Sequence, residues 1–334
     1  MKDVADFCGI DIAKHLISIH LEDENRKVIS QRNMRRANVL TFFANKPPCL
    51  IGIESCGGSQ YWALELRKLG HDVRLMNAKY VIPYRRKGKN DLNDAEAICE
   101  AVTRPSMSFV AVKTEQQQSV LMMHRLRQQC LSHRKSLINQ VHGYLLEFGV
   151  SLPKGAKAIH KNLAAIFEKN DFEPLVVEML HELLAAIARE EERETYFNKR
   201  IEEWVKQDEQ AKALLGLDGI GPLSASAIVA TAGDAAAFKN GRQFAAWLGL
   251  VPRQYSSGGK SKLGRITKAG DQYLRTLLIQ CSRSVLLMAN RGRGKQCDWI
   301  NELRKRRPDN VVAVAMAAKQ ARMAWAIMAG KVFV

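Results

Sequence analysis

The chain has 334 residues, 46% hydrophobic and 25% charged, a balance typical of a globular protein of two or three domains. It carries 51 Lys and Arg against 34 Asp and Glu, a net charge of +17. Residues 216–334 hold 19 basic and 6 acidic side chains, so the excess lies in the C-terminal third. This charge predicts a polyanionic partner, nucleic acid before an anionic membrane. Solubilising surface charge is the alternative.

Composition also argues against export and membrane insertion. No window approaches the roughly 18 uncharged apolar residues that span a bilayer. Residues 1–11 lack the apolar core and cleavage site of a signal peptide. The seven cysteines, without a Cys-x-x-Cys pair, are typical of a reduced protein. We therefore expect a cytoplasmic protein with no membrane partner.

The N-terminal third reads as a mixed α/β sheet. Alternating or β-branched runs predict strands over 4–12, 15–22, 27–33, 49–55 and 72–76, with helices over 38–44 and 60–69. Three strands in succession suggest a meander, and the later alternation suggests parallel strands beside it. The basic segment 80–90 is predicted to be a loop, and Asp91 to be the N-cap of a helix that reaches residue 102.

The middle of the chain is predicted to be helical. Residues 114–148 and 174–206 form two long helical patterns, and residues 111–215 carry 15 basic and 15 acidic side chains. The second pattern keeps a 4-3 apolar alternation, although Glu190 and Glu194 stand where apolar residues are due. A helical hairpin or coiled-coil arm that pairs subunits and a plain helical linker are both consistent with this pattern.

The C-terminal third is predicted to be mostly helical. Gly-Ile-Gly at 219–221 separates two helical runs, as in a helix-hairpin-helix whose turn amides meet a phosphate backbone. A helix over 242–250, a Gly-rich loop over 252–267 and helices over 270–289 and 309–329 follow. The predicted domains are therefore an α/β domain over 1–110, a helical linker over 111–210 and a mostly helical domain over 211–334.

Four carboxylates in the N-terminal third suggest a metal site. Asp11 and Glu54 each end an apolar strand, where a buried acid is costly unless a cation binds it. Asp91 and Asp94 share one face of a helix start. Such oxygen ligands suit Mg²⁺, or Mn²⁺, and two ions so held could stabilise both oxygens of a phosphodiester transfer. Taken singly, these acids have ordinary roles as a cap, a helix-dipole partner or an ion-pair partner.

Two basic segments are candidate nucleic-acid contacts. The first lies beside the acids and the second surrounds Ser256, Ser257 and Ser261, and their cations would neutralise phosphate. All eight histidines lie between His15 and His181, so the serine loop has no local Ser–His pair. A polar turn without chemistry is the alternative for these serines. The basic residues are Arg85, Arg86, Lys87 and Lys89 in the first segment, and Arg253, Lys260, Lys262, Arg265 and Lys268 in the second.

Ordered motifs along the chain resemble a known family. They are G-I-D-x-A-K at 9–14, I-E-S-x-G at 53–57, K-G-K-N-D-L-N-D-A at 87–95 with Asp91 and Asp94, G-I-G-P-L-S-A at 219–225, F-A-A-W-L-G-L-V-P at 244–252 and Y-S-S-G at 255–258. This set resembles the DEDD insertion-sequence transposases of the IS-one-ten family, relatives of the pilin-gene invertases. The resemblance covers most of the chain and leaves the helical middle without motifs.

The resemblance implies a fold and a chemistry. It implies a ribonuclease H-like, Holliday-resolvase-like domain whose acids, here Asp11, Glu54, Asp91 and Asp94, hold Mg²⁺. It implies that the serine before Gly258, Ser257, attacks DNA and forms a phosphoserine link, with Ser256 as the fallback. It further implies a bacterial, nucleoid-associated enzyme that excises its own element as a circle, binds double-stranded DNA of element ends and target, uses a guide (bridge) RNA, and assembles as dimers and tetramers.

Three other functions remain open from the residues. A junction-resolving nuclease would use the same acids with water and no covalent serine. An actin-like or sugar-kinase-like ATPase also opens with G-I-D and a hairpin, but residues 11–14 lack the Gly-Thr phosphate turn and no second Asp-Gly-x-Gly loop is present. A nucleic-acid-binding protein without catalysis is the third.

Overall fold

The computed structural model describes residues 6–86 and 90–331, and the chain divides into two compact units, Met1–Glu115 and Gln116–Val334. The predicted mixed α/β sheet and the mostly helical C-terminal region are both confirmed. Lys87 and Lys89, predicted to contact nucleic acid, lie outside the described residues.

The first unit is built on a six-stranded sheet in the order β3-β2-β1-β4-β5-β6. β1, β2 and β3 form an antiparallel meander, β4 and β5 add in parallel to β1, and β6 closes the edge antiparallel to β5. The strands are β1 Phe7–Ile12, β2 Leu16–Glu22, β3 Val28–Arg35, β4 Leu50–Glu54, β5 Asp72–Met76 and β6 Phe109–Val110. The helices of this unit are α1 Arg36–Ala44, α2 Ser59–Lys68, α3 Ala78–Val81 and α4 Asp91–Val102.

Helices cover both faces of this sheet. Ile10 of β1 and Ile53 of β4 pack with α1 and α2 in one apolar cluster. Successive side chains of a strand point to opposite faces, so Gly9 and Gly52 lie on the other face, where α4 packs. The central strands β1 and β4 are therefore buried on both sides, which explains their nearly continuous apolar sequences, whereas β3 at the edge is largely exposed.

The second unit is almost wholly helical. Its two long helices, predicted from the sequence, run over α5 Glu115–Glu147 and α7 Pro174–Val205. With α6 they share an apolar core that includes Val141, Ile159 and Leu180. The other helices are α6 Ala156–Lys169, α8 Glu209–Leu214, α9 Pro222–Ala232, α10 Gly241–Trp247, α11 Gln272–Ala289, α12 Cys297–Arg304 and α13 Asp309–Met328.

The C-terminal core forms around α9, α11 and α13. Ile228, Leu278 and Ala321 are fully buried there. Within the described residues α13 alone is long and apolar enough to cross a membrane, and most of its length is buried inside this unit. A core helix passes the same length and hydropathy test, so this finding does not indicate a membrane span.

Three sequence predictions were wrong in detail. The cap of α4 is Asn90, whose Oδ1 accepts the Leu92 N–H at 3.0 Å, and Asp91 is the first helical residue. Segment 80–90 contains the end of α3 and a 3-10 turn at Ile82–Tyr84. The loop predicted over 252–267 is a hairpin of β7 Pro252–Ser257 and β8 Lys260–Ile266. Helices α6 and α12 and strand β6 were not predicted.

Candidate active site

Two glycines bring the acid-bearing elements of the first unit together. Gly9 and Gly52 are register partners on β1 and β4. A Cβ at Gly9 would lie 1.9 Å from the Ala95 carbonyl oxygen, and one at Gly52 would lie 2.8 Å from Cβ of Val102. Side chains at these two positions would therefore push α4 away from the sheet.

Asp11 and Glu54 follow these glycines at a spacing of two. Each therefore lies on the sheet face that carries α4. Ile10 and Ile53 are the last residues paired between β1 and β4, and each acid is the next residue of its strand. Asp91 and Asp94 lie in the first turn of α4, and Asp94 is buried. The patterns Gly-x-Asp in β1 and Gly-x-Glu in β4 indicate this packing. The sequence analysis interpreted the acids of these patterns and did not interpret the glycines.

The charges of the other three acids act on Asp11. The pKa of Asp11 is raised to about 6, first by burial and then by repulsion from Asp94, Asp91 and Glu54. Arg85 lowers this pKa but does not cancel the rise. Asp11 is therefore close enough to the other three predicted acids for their charges to raise its pKa.

Arg85 lies among these acids. Its Nη2 donates to Oε2 of Glu54 at 2.9 Å, and its Nε lies 3.1 Å from Oδ1 of Asp94. Arg86, also predicted to contact nucleic acid, pairs with Glu96 at 2.6 Å and is 74% exposed. Of the two described cations in this segment, Arg85 therefore belongs to the acid cluster and Arg86 to the surface.

A divalent cation fits this donor set by its chemistry. Four carboxylates with one guanidinium leave net negative charge, and hard oxygen ligands suit Mg²⁺ or Mn²⁺. Across residues 6–86 and 90–331, no three His, Cys, Asp or Glu side chains are grouped closely enough to hold an ion. Arg85 neutralises two of the four acids in this arrangement.

The predicted serines lie on the hairpin of the second unit. Gly258 and Gly259 both adopt positive φ, 54° and 76°, which a two-residue hairpin turn with right-handed strand twist requires. Ser257 pairs in register with Lys260 across this turn, and Ser256 pairs with Ser261. Oγ of Ser256 also accepts a hydrogen bond from Gln254 at 2.8 Å. Ser257 is therefore the serine next to the turn.

The hairpin is exposed and basic. Every β7 side chain is exposed, and so are the five cations predicted to contact nucleic acid, Arg253, Lys260, Lys262, Arg265 and Lys268. Residues 252–268 contain no His, Asp or Glu, so the hairpin itself supplies no general base. The four acids and the two serines belong to different units of the chain.

The comparisons with known proteins decide the family. A protein-family model described as "Transposase" matches residues 8–150, and a second family model, described as "Transposase IS116/IS110/IS902 family", matches residues 211–296. The chain is 45% identical over 323 residues to a "Probable family 20 transposase" of Pseudomonas aeruginosa, and the match covers 96% of both chains. The chain belongs to the IS116/IS110/IS902 transposase family.

Two further relatives extend this result over nearly the whole transposase. This chain is 39% identical to the "Transposase for insertion sequence element IS1328" of Yersinia enterocolitica, and the match covers 96% of this chain and 95% of the relative. It is 34% identical to the "Transposase for insertion sequence element IS1111A" of Coxiella burnetii, with 98% and 90% covered. The resemblance seen in the motifs is thereby confirmed, and the protein is a transposase that acts on DNA.

Proposed function

We propose that this transposase is a Mg²⁺-dependent DNA recombinase that excises and inserts its own insertion sequence through a covalent serine intermediate. The observation that supports the metal part is that the charges of Asp94, Asp91 and Glu54 act on Asp11, while Arg85 pairs with Glu54 and Asp94. The strand order of the sheet, a meander joined to parallel strands, supports a ribonuclease H-like fold for this domain.

The four carboxylates are proposed to hold the cation. Bound there, a divalent cation would stabilise negative charge on phosphate oxygens. Gly9 and Gly52 contribute indirectly, since they let α4 carry Asp91 and Asp94 against β1 and β4.

Ser257 is proposed to be the nucleophile. Its Oγ forms a bond to phosphorus while one backbone P–O bond breaks, and the hydroxyl proton ends on the departing deoxyribose oxygen. The phosphoserine link preserves a phosphodiester bond for rejoining, so the strand can be resealed without an external energy source. Ser256, whose hydroxyl already accepts from Gln254, is the fallback.

The partners are proposed from charge and family. The exposed cations of the hairpin support contact with double-stranded DNA of element ends and target. The guide RNA, the dimeric or tetrameric assembly, the cytoplasmic and nucleoid-associated location and the domain limits 1–110, 111–210 and 211–334 are proposals from the resemblance and the sequence. A helix-hairpin-helix role is proposed for α8, α9 and the turn between them.

The proposal is tested on the intact element with its flanks, carried on a plasmid. The junction of the excised circle is amplified from wild type, Asp11→Ala, Ser257→Ala and the matched control Ser256→Ala. We expect junctions from wild type and Ser256→Ala alone, and a covalent protein–DNA adduct that disappears in Ser257→Ala. Junctions that persist in Ser257→Ala would remove the serine step and favour a water-using nuclease with the same acids.

A further inference from the structure

The turn between α8 and α9 carries no cations of its own for a phosphate backbone. Between Lys212 and Lys239 the chain has no Lys or Arg, and its charged residues are Asp218 and Asp234. Asp218 lies within the turn itself, next to Gly-Ile-Gly. A phosphate that approached these amides alone would meet an unneutralised carboxylate, so the turn needs cations from elsewhere.

A basic loop from a distant part of the sequence lies against this turn. The loop joins α11 to α12 over residues 290–296 and reads N-R-G-R-G-K-Q. Oδ2 of Asp218 accepts the backbone N–H of Lys295 at 2.8 Å. The acid of the turn is therefore engaged by the loop, and the two segments form one surface, which we call the turn–loop surface.

Buried groups hold the turn in place. Nε2 of Gln320 donates to the Asp218 carbonyl at 2.8 Å, and Ser282 donates to Oε1 of Gln320 at 2.7 Å. Gly219, at φ 78°, packs so closely on α11 that a Cβ would lie 2.6 Å from the Cys281 carbonyl oxygen. The turn is thus anchored to α11 and α13, so its position does not depend on a ligand.

The cations of the loop are available to a ligand. Arg291, Arg293 and Lys295 are exposed and alternate with glycines that adopt positive φ, 65° at Gly292 and 96° at Gly294. None of the three forms an ion pair with a carboxylate in the part of the chain that the structure describes. Other exposed cations of this unit, such as Lys212 with Glu209, do form such pairs.

We propose that the turn–loop surface binds the phosphate backbone of duplex DNA, as a second grip separate from the serine hairpin. Three cations that alternate with glycines let the backbone approach closely and neutralise successive phosphates. The 18 residues of α11 rise about 27 Å between the hairpin side and this loop, so the two contacts are distinct. The proposal rests on the proposed function only in that the protein acts on DNA.

The test compares two triple variants of equal charge. The first is Arg291→Gln, Arg293→Gln, Lys295→Gln. The control is Arg200→Gln, Lys212→Gln, Lys305→Gln, which removes the same charge from exposed cations that are ion-paired with Glu203, Glu209 and Glu302. Affinity for a labelled duplex is measured by fluorescence anisotropy over a salt series, and for a single-stranded RNA of the same length in parallel.

We expect the slope of log affinity against log salt to fall by roughly 2 to 3 in the first variant, because each phosphate contact contributes about 0.9. Duplex affinity at 0.1 M salt should fall by about 10²-fold, and the control should match wild type. Equal losses in both variants, no loss in either, or a loss for RNA alone would overturn the proposal. Wild type that binds no duplex would instead overturn the DNA part of the proposed function.

A second inference comes from Arg85 and is independent of that surface. Its guanidinium contacts Glu54 and Asp94, acids from a strand and from a helix, and it is 32% exposed. The guanidinium occupies Oε2 of Glu54 and Oδ1 of Asp94, and its positive charge repels a divalent cation that approaches the remaining oxygens of these carboxylates. We propose that Arg85 is an internal counter-cation, a positioning residue that keeps the acids together and is displaced when the cation binds. This inference rests on the proposed metal site.

Cation affinity tests the displacement directly. Mn²⁺ binding to the purified protein, without DNA, is followed by loss of the free-ion paramagnetic resonance signal. Arg85→Gln should bind Mn²⁺ about tenfold more tightly than wild type, a difference of about 1.4 kcal/mol, because the competing charge is gone. Arg86→Gln, which removes the same charge from the neighbouring exposed residue, is the control and should match wild type.

The outcomes separate this inference from the metal site itself. Equal tightening in both variants would show a general field effect, and weaker binding by Arg85→Gln would make Arg85 a support of the site. Either result overturns the displacement. Absence of Mn²⁺ binding in wild type and both variants would overturn the metal site and the inference together. Thermal unfolding of each variant checks that the first unit is folded.

Discussion

A buried histidine makes the stability of the second unit sensitive to acid. His124 of α5 is 1% exposed, its Nδ1 lies 2.9 Å from the Tyr273 hydroxyl of α11, and its Nε2 lies 3.0 Å from Oγ of Ser226 of α9. Ser226 donates to the Pro222 carbonyl, so Nε2–H donates to Ser226 and Nδ1 accepts from Tyr273. A neutral imidazole therefore joins three helices.

The pKa of His124 gives the size and sign of the effect. Burial, and then the nearby Arg127 charge, lower this pKa from 6.5 to about 4. Between these values the unfolded chain binds a proton that the folded chain does not, so stability falls as pH falls from 6.5 towards 4. Linkage puts the loss at about 2 kcal/mol between pH 8 and pH 5, and at roughly 3 kcal/mol in full.

His124→Gln removes this titration and keeps hydrogen-bonding capacity. Urea unfolding is measured at pH 8 and pH 5 by tryptophan fluorescence, since Trp204, Trp247, Trp299 and Trp325 all lie in the second unit. The stability difference between the two pH values should shrink by about 2 kcal/mol in the variant. His181→Gln, at an exposed position of α7, is the control and should keep the wild-type difference. An unchanged difference in His124→Gln would refute the reasoning.

Other substitutions test the packing and charge of each unit. Asp11→Asn should raise the stability of the first unit at pH 7.5 by about 1 to 2 kcal/mol, measured by urea unfolding. The reason is that the raised pKa of Asp11 makes its charged form oppose folding above pH 6. A loss of stability would contradict this prediction. Gly9→Ala should unfold or expand the first unit, seen as lost amide-exchange protection in α4, since its Cβ would lie 1.9 Å from the Ala95 carbonyl oxygen. Gly249→Ala should lower the melting temperature of the second unit by calorimetry, since Gly249 has φ 71° and its Cβ would lie 2.5 Å from the Ala269 nitrogen.

Apolar periodicity predicted the first unit well for a physical reason. Strands such as Leu50–Glu54 are buried on both faces, so their composition alone marks them, and an acid at the end of such a strand stands out. The hairpin Pro252–Ser257 with Lys260–Ile266 was missed because its β7 side chains are all exposed and no alternation results. Its signal was the Gly-Gly pair, which we interpreted as a flexible loop rather than as a two-residue turn.

The cap of α4 shows the limit of reasoning from one residue type. Asn90 and Asp91 are both good caps, and the sequence alone favours the acid only through the spacing to Asp94. In the structure the amide of Asn90 caps the helix, which leaves Asp91 in the first turn beside the other acids.

The two acids that interrupt the 4-3 pattern of α7 were also explained only by the structure. Glu194 accepts hydrogen bonds from Arg127 at 3.1 Å and from Arg134 at 2.7 Å, and Glu190 lies 3.5 Å from His133. These three partners all lie on α5. The two acids of α7 are therefore paired with basic side chains of α5 in the same chain. We expect these pairs to favour one partner helix and one register for α7, a role that polar positions have in other paired helices.

The distribution of charge indicates that DNA affinity and the proposed catalytic acids lie in different units of this transposase. Residues 1–110 carry 17 basic and 13 acidic side chains and include the four proposed metal ligands, whereas the strong basic excess lies in residues 216–334. Affinity for a phosphate backbone follows the number of cations in contact, so we expect it to reside in the second unit. Removal of Asp11 would then abolish strand cleavage and leave DNA binding almost unchanged. A catalytically dead transposase of this kind should occupy the ends of its element and inhibit excision by wild-type protein in the same cell.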